Sequence, residues 1–198
     1  PLEIIERYGL DALRYYLLKE VSFGNDGNIS QEKLESCINS DLANNYGNLC
    51  QRVLAFCEKN CDLKVPSHEF NKDDLDVLIP FEDLNKLRNL IDNQKINEYM
   101  NFLIESLFAS NKYFNDQEPW KKKDDKKRLN TIVFTALELI RKISILLNPV
   151  IPETSSKVLK IFSIDEKKLN FDSLTNHENL KEGISLSKIN ILFKKIEK

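Results

Sequence analysis

Apolar residues recur at spacings of three and four over most of this chain, and this pattern restricts its fold more than any other feature. Such spacing places side chains on one face of an α-helix, whereas strands alternate every second residue. Glycine, which weakens helices, is scarce at 5 of 198 residues. The sequence therefore predicts an all-α helical bundle, and the lack of a fixed period between neighbouring helices argues against a solenoid.

Composition limits the compartment and the class of partner. The chain has no apolar run near twenty residues and 30% of its residues are charged, which predicts a cytoplasmic protein without a membrane partner. The four cysteines occur without secretory features, so we expect reduced thiols. Because the net charge is only -2, a nucleic-acid partner would have to be attracted by local basic patches.

Capping residues and prolines divide the chain into helices. Asp11 and Ser30 are the expected N-caps of two of them, and a loop is expected over residues 23–29. Breaks are predicted near residues 39–41 and at Pro80. The predicted helices cover residues 2–8, 12–18, 31–60, 72–92, 96–118, 129–147 and 152–162.

The two longest apolar patterns predict helices that face the core on one side. In the first helix the expected core residues are Met100, Leu103, Ile104, Leu107, Phe108 and Phe114. In the second they are Leu129, Ile132, Val133, Ala136, Leu137, Ile140, Ile143 and Leu147. Beyond residue 163 the pattern dissolves and later returns, which predicts an irregular tail that packs back on the body.

A helical wheel over residues 44–61 separates a core stripe from an outward line. The core stripe consists of Cys50, Leu54, Cys57 and Cys61, with Val53 at its edge. Asn48 and Arg52 lie almost opposite, with Lys59 on the same line. An amide and a guanidinium are suited to read base edges, although an ordinary solvated face has the same composition.

Trp120, the only tryptophan, follows a proline at the end of a predicted helix. A ring placed there can serve as a stacking platform for a base, and the alternative is an ordinary packing residue. The basic run that follows includes Lys121, Lys122 and Lys123, which are candidate phosphate contacts or a solvated helix start.

Four segments resemble class I aminoacyl-tRNA synthetases. "YGLDALRYYLL" at 8–18 resembles the segment that follows their KMSKS loop. "DLANNYGNLCQR" at 41–52, "NKYFNDQEPW" at 111–120 and "LLNPVIPETSSKV" at 146–158 are similar to segments of methionyl-tRNA synthetases. Asn115 departs from this pattern, since an acidic residue is expected there.

The resemblance implies an anticodon-binding module whose partner is methionine tRNA. Asn48 and Arg52 would hydrogen-bond bases of the CAU anticodon, and the first base, cytosine, would stack on Trp120. Lys59 and residues 121–123 would be candidate contacts to the RNA backbone. The parent enzyme would be an ATP-dependent methionine-tRNA ligase.

The resemblance also implies a division of the chain. Residues 1–29 would be the remnant of a stem-contact region that links to a catalytic domain of the same protein, 30–163 the anticodon-binding bundle, and 164–198 the tail. We expect no catalytic residue and no cofactor in this part. ATP would belong to the absent catalytic half, and zinc there is left open. The alternatives are the anticodon-binding domain of a leucine, isoleucine or valine synthetase, or a helical protein-interaction scaffold without an RNA role.

A metal site is not expected in this chain. Three of the cysteines share one face of a straight helix, which cannot wrap an ion. His68 and His177 lie in predicted polar loops without the spacing of metal ligands. No glycine-rich phosphate loop or nucleophile elbow occurs in the sequence.

Overall fold

The computed structural model describes residues 2–20, 30–175 and 179–197. These residues form helices and turns, and they include an isolated antiparallel bridge between Lys64 and Ser185. The predicted all-α bundle is confirmed. The loop predicted over residues 23–29 lies outside the described residues. Within the described ranges, none of the helices combines the length and the apolar character needed to cross a membrane.

Nine α-helices follow one another along the described residues. A π-helix, Ile38–Gly47, joins α3 to α4, and 3-10 turns follow α5 (Ile79–Phe81) and α7 (Pro119–Lys121). The α-helices are α1 (Leu2–Tyr8), α2 (Leu10–Glu20), α3 (Gln31–Cys37), α4 (Asn48–Cys61), α5 (Lys72–Leu78), α6 (Leu84–Asp92), α7 (Ile96–Asp116), α8 (Lys126–Leu147) and α9 (Pro152–Ile161).

Prolines end the helices where the sequence predicts. The 3-10 turn after α5 contains Pro80, so the predicted interruption is confirmed. Helix α7 ends at Asp116, shortly before Pro119. Helix α8 ends before Asn148, the residue that precedes Pro149.

Helix α8 is the centre of the bundle. All residues from 131 to 147 are buried, and the helix contacts α4, α5, α7 and α9. The expectation of a single core-facing side was therefore wrong, because neighbours surround this helix on all sides. Its periodic apolar residues are buried as predicted, but so are the residues between them.

Three charged side chains of this central helix, Glu138, Arg141 and Lys142, are buried. Arg141 is 1% exposed, and its Nε donates to Glu138 Oε2 at 3.0 Å. Its Nη1 donates to the carbonyl of Ser173 at 2.8 Å, and the backbone N–H of Leu180 donates to Glu138 at 3.1 Å. The Lys142 ammonium lies 3.2 Å from a carboxylate oxygen of Glu82. These contacts fix the start of the tail to α8.

The tail packs back on the body, as predicted. The N–H of Val65 donates to the carbonyl of Ile184 at 2.9 Å, which anchors the tail at the end of α4. Farther along, the amide of Asn39 exchanges two hydrogen bonds with the backbone of Ile196, at 2.9 and 2.8 Å. The tail therefore runs along α4 and the π-helix.

The two predicted N-caps have different outcomes. The Ser30 hydroxyl accepts from the N–H of Lys33 at 3.4 Å, so this cap is confirmed. The prediction for Asp11 was wrong, because α2 begins at Leu10. The Asp11 carboxylate instead accepts from the N–H of Thr154 at 2.7 Å, in the first turn of α9.

The predicted break near residues 39–41 was also wrong. The helix continues there with the wider turns of a π-helix, a geometry frequent at functional sites. Gly47 closes this π-helix, and a Cβ at its position would lie 3.0 Å from the carbonyl oxygen of Leu42. Glycine therefore permits the close approach that sets the start of α4.

Candidate nucleic-acid interface

Arg52 lies on α4, where it contacts two residues of α7. Its Nη2 donates to Asn115 Oδ1 at 2.6 Å. Its guanidinium carbon lies 5.7 Å from the centroid of the Phe114 ring, a cation–π distance. The partner of Arg52 on α7 is a neutral amide, so this contact orients the guanidinium without neutralising its charge.

Trp120 contacts the same phenylalanine. It lies in the 3-10 turn after α7, next to the buried Pro119, and it is 40% exposed. Its ring centroid is 6.2 Å from that of Phe114, with the rings at 71°. Phe114 therefore brings Arg52 and Trp120 to one place, as the family resemblance implies, although Phe114 itself was expected only in the core.

A polar network that joins α5, α7 and α8 lies next to the turn that carries Trp120. Arg128 of α8 donates to Gln117 at 2.6 Å and to the buried Asp74 at 2.6 and 2.9 Å. Tyr113 donates to the same Asp74 carboxylate. Burial, followed by this hydrogen bond, raises the pKa of Tyr113, so its hydroxyl stays a donor. These hydrogen bonds join the end of α7, just before the turn that carries Trp120, to α5 and α8.

Asn48 is the first residue of α4 and is half-buried, one turn before Arg52. One turn earlier, in the π-helix, Asn45 accepts from the side-chain amide of Asn111 at 2.7 Å. Together with the contact between Arg52 and Asn115, this places two successive turns of α7 beside the predicted residues. We call the surface formed by Asn48, Arg52, Asn115 and Trp120, above the buried ring of Phe114, the α4–α7 surface.

The predicted lysines lie at different places around this surface. Lys59 is exposed, seven residues after Arg52 on the outward side of α4. Lys121 pairs with Glu118 at 2.7 Å, beside Trp120. Lys122 is half-buried and Lys123 is exposed. Lys121 to Lys123 therefore adjoin the tryptophan, whereas Lys59 lies roughly 10 Å along the helix from Arg52.

The cysteines do not form a metal site in the structure. All four thiols are free. Burial raises the pKa of Cys37 to about 12 and also raises that of Cys50, so these thiols stay protonated. Within the described ranges, His, Cys, Asp and Glu side chains do not gather in groups of three or more that could hold a metal ion. His177 lies outside the described residues.

His68 has a packing role. Its ring stacks on that of Phe134, with centroids 3.5 Å apart and planes at 12°. Phe70 lies beside it at 4.6 Å. The sequence did not predict this contact, because nothing in the spacing joins residue 68 to the middle of α8.

Comparison with known families identifies two matching regions. Residues 81–198 match the family described as the anticodon binding domain of methionyl tRNA ligase. Residues 1–54 match the family described as tRNA synthetases class I (M). The first match covers more than half of the chain.

Curated relatives carry the same name. The chain is 38% identical over 174 residues to a methionine–tRNA ligase of Brucella suis, covering 86% of this chain and 34% of the relative. It is 36% identical to the Thermotoga maritima enzyme, covering 100% of this chain and 32% of the relative. The chain therefore spans about a third of the length of these relatives.

Solved structures agree in fold. The free form of the methionyl-tRNA synthetase of Mycobacterium tuberculosis superposes with a TM-score of 0.93 at 32% identity, covering 100% of this chain and 41% of that one. The same enzyme in complex with methionyl-adenylate gives a TM-score of 0.91 at 33% identity, covering 98% and 39%. The chain therefore belongs to the methionyl-tRNA synthetase family, in which it corresponds to the anticodon-binding domain.

Proposed function

We propose that the α4–α7 surface binds the anticodon loop of methionine tRNA and reads CAU through Asn48, Arg52 and Trp120. The observation that carries this proposal is the shared contact of Arg52 and Trp120 with the ring of Phe114. One ring contacts both a guanidinium and an indole, while Trp120 stays exposed and Arg52 stays partly exposed.

The chemistry of the three side chains fits unpaired bases. The half-exposed indole of Trp120 offers a flat apolar face on which a base can stack. The Arg52 guanidinium has donors beyond the one directed at Asn115, and the Asn48 amide supplies both a donor and an acceptor. Stacking gives affinity with little sequence preference, whereas the polar groups select among base edges.

The neighbouring lysines would supply contacts to phosphates. We assign this role to Lys59, two turns after Arg52 on α4, and to residues 121–123, which directly follow Trp120. Such contacts add affinity that falls with salt and carry no information about the base sequence. Lys121 would have to leave Glu118 to make one.

The activity of the whole protein follows as a further proposal. The protein would attach methionine to its tRNA with ATP, through a catalytic domain of the same chain, in the cytoplasm. The relative from Mycobacterium tuberculosis was solved with methionyl-adenylate, an adenylate of the kind that such a ligase forms from ATP. The division into 1–29, 30–163 and 164–198 also stays a proposal.

The direct test is binding of this chain to an RNA hairpin that carries a tRNA anticodon loop, followed by fluorescence anisotropy. We expect Trp120→Ala to weaken binding to the CAU hairpin roughly 5- to 150-fold, since one stacked base is lost. Trp120→Phe keeps an aromatic face and serves as the matched control, with a smaller loss. Wild-type binding by Trp120→Ala would contradict the proposal.

Changing the anticodon separates the alternatives. A hairpin with GAU, an isoleucine anticodon, differs from CAU only in the first base, and we expect it to bind at least tenfold more weakly. Equal affinity for both hairpins would favour a domain that serves another amino acid. No binding to either hairpin at low salt would favour a protein-interaction scaffold, because phosphate contacts are strongest there.

A further inference from the structure

Phe108 was expected in the core of α7, and the structure contradicts that expectation. Its side chain is 60% exposed, whereas Met100, Leu103, Leu107 and Phe114 on the same helix are buried. A large aromatic side chain at this exposure leaves most of its ring in water. A single exposed apolar residue does not by itself indicate a binding role.

The position of Phe108 relates it to the α4–α7 surface. Phe108 precedes Asn115 by seven residues, which is two helical turns, so the two lie within about 20° on the helix and roughly 10 Å apart along it. Asn111 lies between them and donates a hydrogen bond to Asn45, and Asn115 accepts one from Arg52. Phe108 and Trp120 therefore lie at opposite ends of the same stretch of α7, with Asn111 and Asn115 between them.

The amide pair next to Phe108 has unused hydrogen-bonding capacity. Asn45 is 4% exposed, and its Nδ2 is buried without a partner among the described residues. The Oδ1 of Asn111 is likewise buried and unpartnered there. Buried polar groups are nearly always paired, so one unmatched donor and one unmatched acceptor in adjacent side chains call for an explanation. A base edge supplies both kinds of partner.

We infer that Phe108 is a second stacking platform, which takes another unpaired base of the same RNA loop, with the Asn45 and Asn111 amides at the edge of that base. This inference rests on the proposed function. The bound base would satisfy the two amides after a small shift of their side chains. Two aromatic faces at opposite ends of a polar strip match the arrangement by which proteins hold splayed single-stranded bases.

The test measures affinity for the CAU hairpin with variants at Phe108. Phe108→Ala weakens binding roughly 5- to 150-fold, as expected for the loss of one stacked base. Phe108→Tyr retains the affinity, whereas Phe108→Leu, which is apolar but not aromatic, behaves like Phe108→Ala. Thermal denaturation of each variant verifies folding, which an exposed position leaves nearly unchanged.

Ile79 supplies the matched control. It is 56% exposed, and it adjoins Phe81, whose ring contacts Phe102 on a face of α7 turned about 120° from Phe108. Ile79→Ala removes exposed apolar surface away from the α4–α7 surface and leaves affinity unchanged. An equal loss in both alanine variants would overturn the inference, because general apolar surface would then explain the effect of Phe108→Ala.

Hairpins with one abasic loop position locate the stacked base. At the position that stacks on Phe108, base removal weakens binding by wild type but adds no loss in Phe108→Ala. At the position that stacks on Trp120, only Trp120→Ala behaves in this way. If Phe108→Ala binds like wild type while Trp120→Ala is impaired, the inference fails and the proposed function stands. If neither variant is impaired, both fail.

Discussion

Two arginines of this fold are used in opposite ways. Arg141, at the centre of the bundle, pairs with the Glu138 carboxylate and with the carbonyl of Ser173. Arg52, at the surface, has a neutral amide and the face of Phe114 as its partners on α7. A buried guanidinium requires a counter-charge, whereas an accessible one can keep its charge for a ligand.

The contrast separates residues that hold the fold from residues that can bind. Removal of the Glu138 carboxylate leaves the buried Arg141 guanidinium without its counter-charge, so the cost falls on the free energy of unfolding. Removal of Arg52 leaves no buried charge unpaired, so under the proposed function its cost would fall on RNA affinity. The following variants measure that separation.

The largest expected effect is that of Glu138→Ala. The substitution leaves Arg141 buried without its carboxylate, and it removes the acceptor for the N–H of Leu180. We expect the free energy of unfolding to fall by roughly 3–5 kcal/mol in urea denaturation. The double variant Glu138→Met, Arg141→Met recovers part of this loss, because no charge remains buried. A change below about 0.5 kcal/mol in the single variant would remove the contrast.

Arg52→Leu is the counterpart at the surface. We expect its free energy of unfolding to stay within about 0.5 kcal/mol of wild type. Its affinity for the CAU hairpin falls by about 1.5–3 kcal/mol, or more than tenfold, since a charged donor is lost. Arg52→Lys keeps the charge but not the planar donors, so it recovers only part. Full recovery by lysine would show that charge alone matters at this position.

The sequence predicted the helices well because their signals are local. The serine at residue 30 caps a helix within three residues, and prolines 80, 119 and 149 act on adjacent backbone. The outward direction of Asn48 and Arg52 also follows from spacing within a single helix. Their meeting with Trp120 did not follow from spacing, and it was expected only through the family resemblance.

Contacts between residues far apart in the chain could not be predicted from the sequence. Asp11 caps α9 rather than α2, through a hydrogen bond to a residue 143 positions away. The burial of Glu138, Arg141 and Lys142 could not be predicted, because charged residues are seldom buried and nothing local shows that the tail covers them. Phe108 was predicted in the core because it has the same helical spacing as the core residues. The sequence does not show that no other segment packs over its side chain.

The smallest expected effect is a dependence of stability on pH at His68. Partial desolvation of the ring, one face of which stacks on Phe134 beside Phe70, lowers the pKa of His68, against the opposing effect of Glu138 and Glu182. The unfolded chain titrates near pH ~6.5, so it binds more protons than the folded chain just below that pH. The contribution of His68 to stability is therefore present above pH ~6.5 and is lost as the pH falls through the lowered folded pKa.

His68→Phe keeps a stacked ring and removes the titration. The difference in free energy of unfolding between wild type and His68→Phe, measured by urea denaturation on both sides of pH ~6.5, isolates this histidine from the other titrating groups. We expect wild type to lose stability relative to the variant on acidification. When both proteins also carry Glu138→Ala, we expect this loss of stability on acidification to be larger, because the Glu138 carboxylate no longer stabilises the protonated ring. A loss unaffected by Glu138→Ala would mean that the Glu138 charge is fully compensated by Arg141 and does not reach His68.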